Sequence, residues 1–327
     1  MRNNNLKKHI SSYNRETTVS CVCGLIISII GIMLGIKIKV TWAFSLVVLF
    51  SALYGLLDTK LTCLSYVVPS IYMIDVILVN LGLKQKMFDI DYVSMIFAIG
   101  AFHQIEGLLT CLYSNKNTEA VISYEGTKAV GAYKSQRQWY VPILLFAWER
   151  YYVPILVMLL YCNTTKVYKP RHKNILMGIM IMTYGSIDML MYFLVKNSIL
   201  ALLLAMITVM LMHEVMMIVD RRNERKTSIY TNPRLGLRVL SKQAYLGGMQ
   251  RNASAPKYTK IEEGDIILKI DGRKVRSETE FDMILDSCKC KKDRIKVEVR
   301  KLGGRTVRYN YTYDELVEIN MVFVPAV

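Results

Sequence analysis

Six long apolar runs fill the first two thirds of the chain: Val19–Ile36, Val40–Leu57, Leu61–Leu81, Tyr92–Tyr113, Ile175–Val195 and Ser198–Val219. Each is close to the roughly 20 residues that cross a bilayer core as a helix. A helix satisfies its own backbone polar groups, so this half is expected to be an all-α transmembrane bundle. The first run follows a basic tail but is long, lacks a small-residue cleavage site and is followed at once by a second span. It therefore reads as a retained span and not a signal peptide. After the charged cluster Asp220–Lys226 and a short polar linker, 227–233, the pattern changes to period-two alternation with turn signals. Ile266–Leu268, Arg294–Arg300 and Thr306–Thr312 read as strands. Asp271-Gly272 and Gly303-Gly304 read as turns, and Val275, Phe281 and Leu285 place a helix over about Ser277–Ser287. The predicted organisation is a membrane domain over 1–226 and a small β-rich, α+β domain over 234–327 that includes a C-terminal extension.

The segment Tyr140–Cys162 does not fit the regular pattern. It contains Tyr-Val-Pro-Ile-Leu twice, at 140–144 and 152–156, with Glu149-Arg150 between the copies. If it enters and returns to one side, 17 loop Lys and Arg fall on the side of both termini and only Lys37, Lys39, Lys84, Lys86 and Lys196 on the other. That asymmetry is what the positive-inside rule expects, whereas a single crossing removes most of it. The reading is therefore six spans plus a hairpin or re-entrant element over 140–162, with both termini cytoplasmic and Glu149-Arg150 at the tip.

The same rule accounts for the charge. The formal net charge is +16 in a chain that is 53% hydrophobic. In the first half the basic residues sit in loops between spans, so the partner they imply is the lipid bilayer and not nucleic acid. The seven cysteines are scattered and imply no disulfide framework. Cys288 and Cys290 lack two further ligands nearby, and no metal is assigned to them.

Ionisable residues interrupt the apolar runs at Asp75, His103, Glu106, Asp188, His213 and Glu214. Such groups are costly in a membrane and are often functional. His103 and Glu106 share a helix face. A metal or proton site built from His103, Glu106, His213 and Glu214 is one reading. Interhelical hydrogen bonding is the plainer one and is preferred, with no cofactor expected. A zinc metalloprotease needs His-Glu-x-x-His, and here the position of the second ligand is Met217. No trypsin-like nucleophile loop, P-loop or dinucleotide fingerprint is present, and the chain is read as non-enzymatic.

Lys260–Gly272, with its Gly264-Asp265 turn, apolar strand and Asp271-Gly272 turn, resembles the centre of a PDZ domain. Leu235-Gly236-Leu237-Arg238-Val239-Leu240 resembles the PDZ glycine loop and ligand strand. Asn252–Ile261 is similar to the following bacterial PDZ stretch, with Ser254 and Ile261 matching and Lys260 replacing a glycine. The resemblance implies peptide capture by strand addition beside 235–240, with Phe281 and Leu285 on the facing helix. Arg238 would favour an acidic peptide. The apolar end Met321–Val327 would either dock in such a groove or form a last edge strand.

The whole chain resembles the MinJ-type topological determinants of bacterial cell division. The resemblance rests on His103-x-x-Glu106-Gly107, on Gly131-Ala132-Tyr133 through Trp139-x-x-Pro142, on His213-Glu214 and on the PDZ-like half. It implies a scaffold in the bacterial cell membrane, enriched at septa or poles. Its implied partners are cytoplasmic protein or peptide C-termini, among them DivIVA-like and MinD-like proteins. Two alternatives stay open: a PDZ-bearing regulatory subunit of a membrane protease or secretion system, and an intramembrane metal or ion site.

Overall fold

The computed structural model describes residues 2–83, 88–126, 128–148, 151–195, 198–231, 233, 235–242, 244–246, 249–251, 260–289, 294–319 and 321–324. In chain order the elements are α1 (Arg2–Met33), β1 (Ile38–Lys39), α2 (Phe44–Leu57), α3 (Leu64–Asn80), α4 (Tyr92–Leu112), β2 (Thr118–Glu125), β3 (Lys128–Trp148) and β4 (Tyr151–Thr165). There follow α5 (Pro170–Leu194), α6 (Ile199–Glu224), β5 (Leu237–Lys242), β6 (Ala244–Leu246), β7 (Met249–Arg251), β8 (Ile266–Ile270) and β9 (Arg273–Lys274). The chain closes with α7 (Glu278–Ser287), β10 (Ile295–Arg300), β11 (Thr306–Tyr311), α8 (Tyr313–Ile319) and β12 (Met321–Phe323). Two compact units result. One is Met1–Ser114, Gln136–Tyr161 and Asn174–Arg222; the other is Asn115–Ser135, Cys162–Lys173 and Asn223–Val327.

In the first unit, four helical segments are long and apolar enough to cross a membrane: Arg15–Met33 of α1, and α4, α5 and α6. The runs expected as the second and third spans form α2 and α3, which are apolar but shorter, at 14 and 17 residues. Helix α4 is the centre of this unit, with Met95, Ile96, Phe97, Ala98 and Ile99 all fully buried. Glycines set its distance from α5. A Cβ added to Gly100 would stand 2.6 Å from the Gly185 carbonyl oxygen, and one added to Gly178 would stand 2.7 Å from that of Gly107. Glycines seven residues apart on each helix thus let two backbones meet, a recurrent device where helices associate in lipid.

The expectation of an all-α first half is corrected. Residues 140–162 do form a hairpin, but a β-hairpin, in which β4 pairs with β3. The proposed tip, Glu149-Arg150, lies outside the described residues, as do Lys84, Lys86 and Lys196 of the charge count. Part of the β3 backbone that faces away from β4 also finds partners, as backbone in an apolar setting requires. Beyond β4, the other edge of β3 meets β1, parallel, with Ile38 opposite Phe146. Further along, α1 supplies the partners: Ser20 Oγ donates to the Tyr140 carbonyl at 3.0 Å, and Leu144 N–H donates to Ser28 Oγ at 2.9 Å. Gly24 and Gly31 complete this stripe of small residues, and a Cβ on either would collide with β3. Along β3, Trp139, Val141, Ile143 and Leu145 point into the same core as α4, at the period of two that a strand requires.

The second unit is assembled from three stretches of chain. β2 and the first part of β3 pair antiparallel, Thr118 opposite Ser135 through Glu125 opposite Lys128. Glu125 accepts from Lys166 Nζ and from Ser228 N–H. Lys173, fully buried, pairs with Glu224 at 2.8 Å. Ser228 and Tyr230, within the stretch read as a linker, are buried, and the Tyr230 carbonyl accepts from Gly131 N–H at 2.9 Å. The C-terminal sheet has the order β11-β10-β8-β5-β12, with β9 beside β8. Asp271 and Gly272 both have positive φ, 51° and 81°, as a two-residue hairpin turn demands between Ile270 and Arg273. α7 starts one residue inside the expected range, with Ser277 Oγ accepting from Glu280 N–H.

Candidate functional site

The residues expected to bind peptide surround one edge of the C-terminal sheet. Gly236, with φ of 94°, turns the chain into β5 so closely under β8 that a Cβ would lie 2.6 Å from the Ile267 carbonyl oxygen. Leu235 is exposed beside it. Leu237 and Val239 point into the core that Phe281 and Leu285 of α7 share. Leu240 points the other way, into a second cluster with Tyr133, Tyr230 and Val324, and its carbonyl accepts from the Tyr133 hydroxyl.

One strand edge of β5 pairs with β8, with Leu237 opposite Ile267. The other edge carries β12, antiparallel, with Met321 opposite Lys242, Val322 opposite Ser241 and Phe323 opposite Val239. Val324 N–H then donates to the Arg238 carbonyl at 3.0 Å. The Phe323 ring stands edge-on to Phe281, centroids 4.9 Å apart. Of the two expectations for the apolar end, the structure shows the last edge strand, paired with β5 and touching α7 through Phe323. Residues 325–327 lie outside the described residues, as do Ser254 and most of the 252–261 stretch.

Arg238 is engaged within its own domain. Its Nε donates to the Thr231 carbonyl at 2.6 Å and its NH1 to the Gly264 carbonyl at 2.8 Å. Burial draws its guanidinium below the usual arginine range. These two bonds to backbone carbonyls fix the entry to β5. Lys260 fits a loop held by its backbone. Its N–H donates to Tyr311 Oη at 3.1 Å, and its carbonyl accepts from Lys301 Nζ at 2.7 Å. Lys301 also bonds Asp265 at 2.8 Å, and Asp265 is almost fully buried.

The chain matches no protein-family model, no curated protein and no solved structure. Geometry alone therefore carries the site.

The ionisable residues of the first unit sort into distinct settings. Asp75 accepts from Phe88 N–H at 2.7 Å and from the Tyr92 hydroxyl at 2.9 Å, which makes it a structural acceptor. Glu214 bonds Lys60 at 3.1 Å and the Tyr66 hydroxyl at 2.6 Å. His103 and His213 do come together, their ring centroids 5.9 Å apart. The third member of their group is Cys63, and not Glu106 or Glu214: the ligand atoms of Cys63, His103 and His213 all lie within 4.8 Å of one another. Cys63 was missed because it sits at the N-terminal edge of α3, 40 residues from His103, in no recognisable spacing with either histidine. Asp188 is fully buried, and neither carboxylate oxygen has a hydrogen-bond partner among the described residues.

Proposed function

We propose that this chain is a non-enzymatic membrane scaffold that captures a partner's peptide by adding it as a strand to the side of β5 that β12 occupies. The observation that carries the reading is the seating of β12. It runs antiparallel to β5, ends beside the Gly236 turn and inserts an aromatic ring against α7. A peptide ligand would make the same backbone bonds and fill the same Phe281 contact, which is the mode of β-strand addition. Because β12 is tethered to the domain by α8, it acts at high effective concentration. A partner must displace it, or arrive when it has left.

A second observation supports placing this domain on the basic side of the membrane. The stretches 115–135 and 162–173, both counted on that side by charge, belong to one compact unit with 223–327. A segment between them that enters and returns keeps them together, whereas a single crossing would part them. The bilayer confines the scaffold and raises the local concentration of whatever it holds. The cytoplasmic orientation and the division-site role implied by the MinJ-type resemblance belong to this proposal.

The test uses the full chain in lipid nanodiscs and a version lacking residues 321–327, with a fluorescent peptide of this chain's own residues 318–327 as probe. The shortened chain is expected to bind the probe at least about tenfold more tightly than the full chain. Absence of binding to a folded, shortened chain overturns strand addition. In cells, a fluorescent fusion is expected at septa or poles, and a uniform membrane signal would remove the division role while leaving peptide capture standing.

A further inference from the structure

We infer that Cys63 Sγ, His103 Nε2 and His213 Nε2 form a three-ligand binding site for a zinc ion within the first unit. The argument begins with where the imidazole protons must be. His103 Nδ1 lies 2.7 Å from the Ile99 carbonyl oxygen, which can only accept. Nδ1 therefore carries the proton, and Nε2, 3.5 Å from Cys63 Sγ, presents a lone pair. His213 Nδ1 lies 2.9 Å from the Tyr66 hydroxyl oxygen. The single Tyr66 proton goes to Glu214, a carboxylate already held by Lys60. His213 Nδ1 must then donate to Tyr66, and the Nε2 of His213 is bare as well.

Both tautomers are thus fixed by partners outside the cluster, one a backbone carbonyl and the other a tyrosine backed by a carboxylate. Zinc-bound histidines are oriented in the same way. The rings are also held in place by packing. Tyr184 stands edge-on to His103 at 4.7 Å and to His213 at 5.7 Å, while Tyr66 stands edge-on to His213 at 4.9 Å.

The spacing suits the ion. Zn–S of about 2.3 Å and Zn–N of about 2.0–2.1 Å in a tetrahedron put sulfur and nitrogen about 3.6 Å apart. The Cys63–His103 separation, 3.5 Å, is already that edge. One thiolate and two imidazoles are a borderline-soft set, which favours zinc over magnesium or calcium. Binding releases the Cys63 proton to solvent. Three protein ligands leave a fourth position open to water or an exchanging group.

The test is metal analysis of the full-length protein purified in detergent without chelator, followed by cobalt(II) titration of the stripped protein. About one zinc per chain is expected, falling at least tenfold in Cys63→Ser and in His213→Ala. Cobalt is expected to give a thiolate charge-transfer band that Cys63→Ser abolishes. Tyr66→Phe, which keeps the ring and removes the acceptor for His213, is expected to weaken cobalt binding by about 10- to 100-fold. Should a ligand variant fail to fold, the wild type still decides: zinc must protect Cys63, and not Cys162, from alkylation. Alkylation of Cys63 unchanged by zinc, cobalt bound without a thiolate band, or copper held in place of zinc would each overturn the assignment. None of these outcomes depends on peptide capture at β5.

Discussion

Two strands in this molecule each have an edge that needs a partner, and they find it differently. β3 is completed along 140–144 by side chains of a helix, Ser20 and Ser28 of α1. β5 is completed by backbone, that of β12. A serine hydroxyl on a rigid helix satisfies one atom at one place, so that edge accepts no substitute. A strand can be replaced by any other strand of suitable side chains. The contrast separates a sealed edge from an exchangeable one, and it is the reason we place partner capture at β5 and assign β3 to architecture.

The largest expected effect tests the exchangeable edge. Phe323→Ala removes a nearly fully buried ring and is expected to cost about 3–5 kcal/mol, read as a drop in the chemical-denaturation midpoint of the second unit. Probe-peptide binding should rise in the same variant. A loss of stability with no gain in binding would mean that β12 is only a structural edge. Next comes the sealed edge. Ser28→Ala leaves Leu144 N–H without its acceptor and is expected to cost about 1–3 kcal/mol, with faster amide exchange at Leu144 and no effect on probe binding. Gly24→Leu should separate α1 from β3 altogether, at about 1–3 kcal/mol or more, and a fully native thermal melt would show that the stripe is not a contact.

Smaller effects concern the loop at the mouth of β5. Burial pulls the Lys301 ammonium down, but the Asp265 carboxylate outweighs it and the net shift is upward. The stabilisation is therefore complete below the unfolded-state lysine value of roughly 10.4 and is lost as pH rises through the higher folded-state value. Stability of the second unit should be level from pH 7 to 10 and fall in more alkaline solution. In Lys301→Met that alkaline fall should shrink, and stability at pH 7 should drop by about 1–3 kcal/mol. Gly272→Ala, at a φ of 81°, should cost about 1 kcal/mol and leave the β5 edge untouched, which makes it a control for general destabilisation.

Much of the C-terminal domain was legible in the residues. Asp271-Gly272 read as a turn, and Val275, Phe281 and Leu285 placed the helix that follows Ser277. These are local signals. The charge count pointed to a segment over 140–162 that doubles back, but the strand character of that segment was not legible in it. Tyr-Val-Pro-Ile-Leu is as apolar as a helix, and the strand depends on partners on β4, β1 and α1 that no local signal announces. The Gly100/Gly107 and Gly178/Gly185 pairs stood in the sequence at matching spacing, yet nothing local says which helices meet. Cys63 was illegible for the same reason: its companions His103 and His213 come from two other helices. Nothing local in the sequence pointed to the bonds that Arg238 makes with the Thr231 and Gly264 carbonyls.

The second unit draws on three separated stretches of chain, and this has a consequence for how it is made. Its opening strand pair, β2 with the start of β3, leaves the ribosome about a hundred residues before β5 and nearly two hundred before β12. At roughly 5–20 residues per second the pair must wait several seconds, with Tyr133 still lacking the Leu240 carbonyl that its hydroxyl will later reach. Helices α5 and α6, both long and apolar enough to cross a membrane, are made during that pause, so the second unit can close only after they have been synthesised.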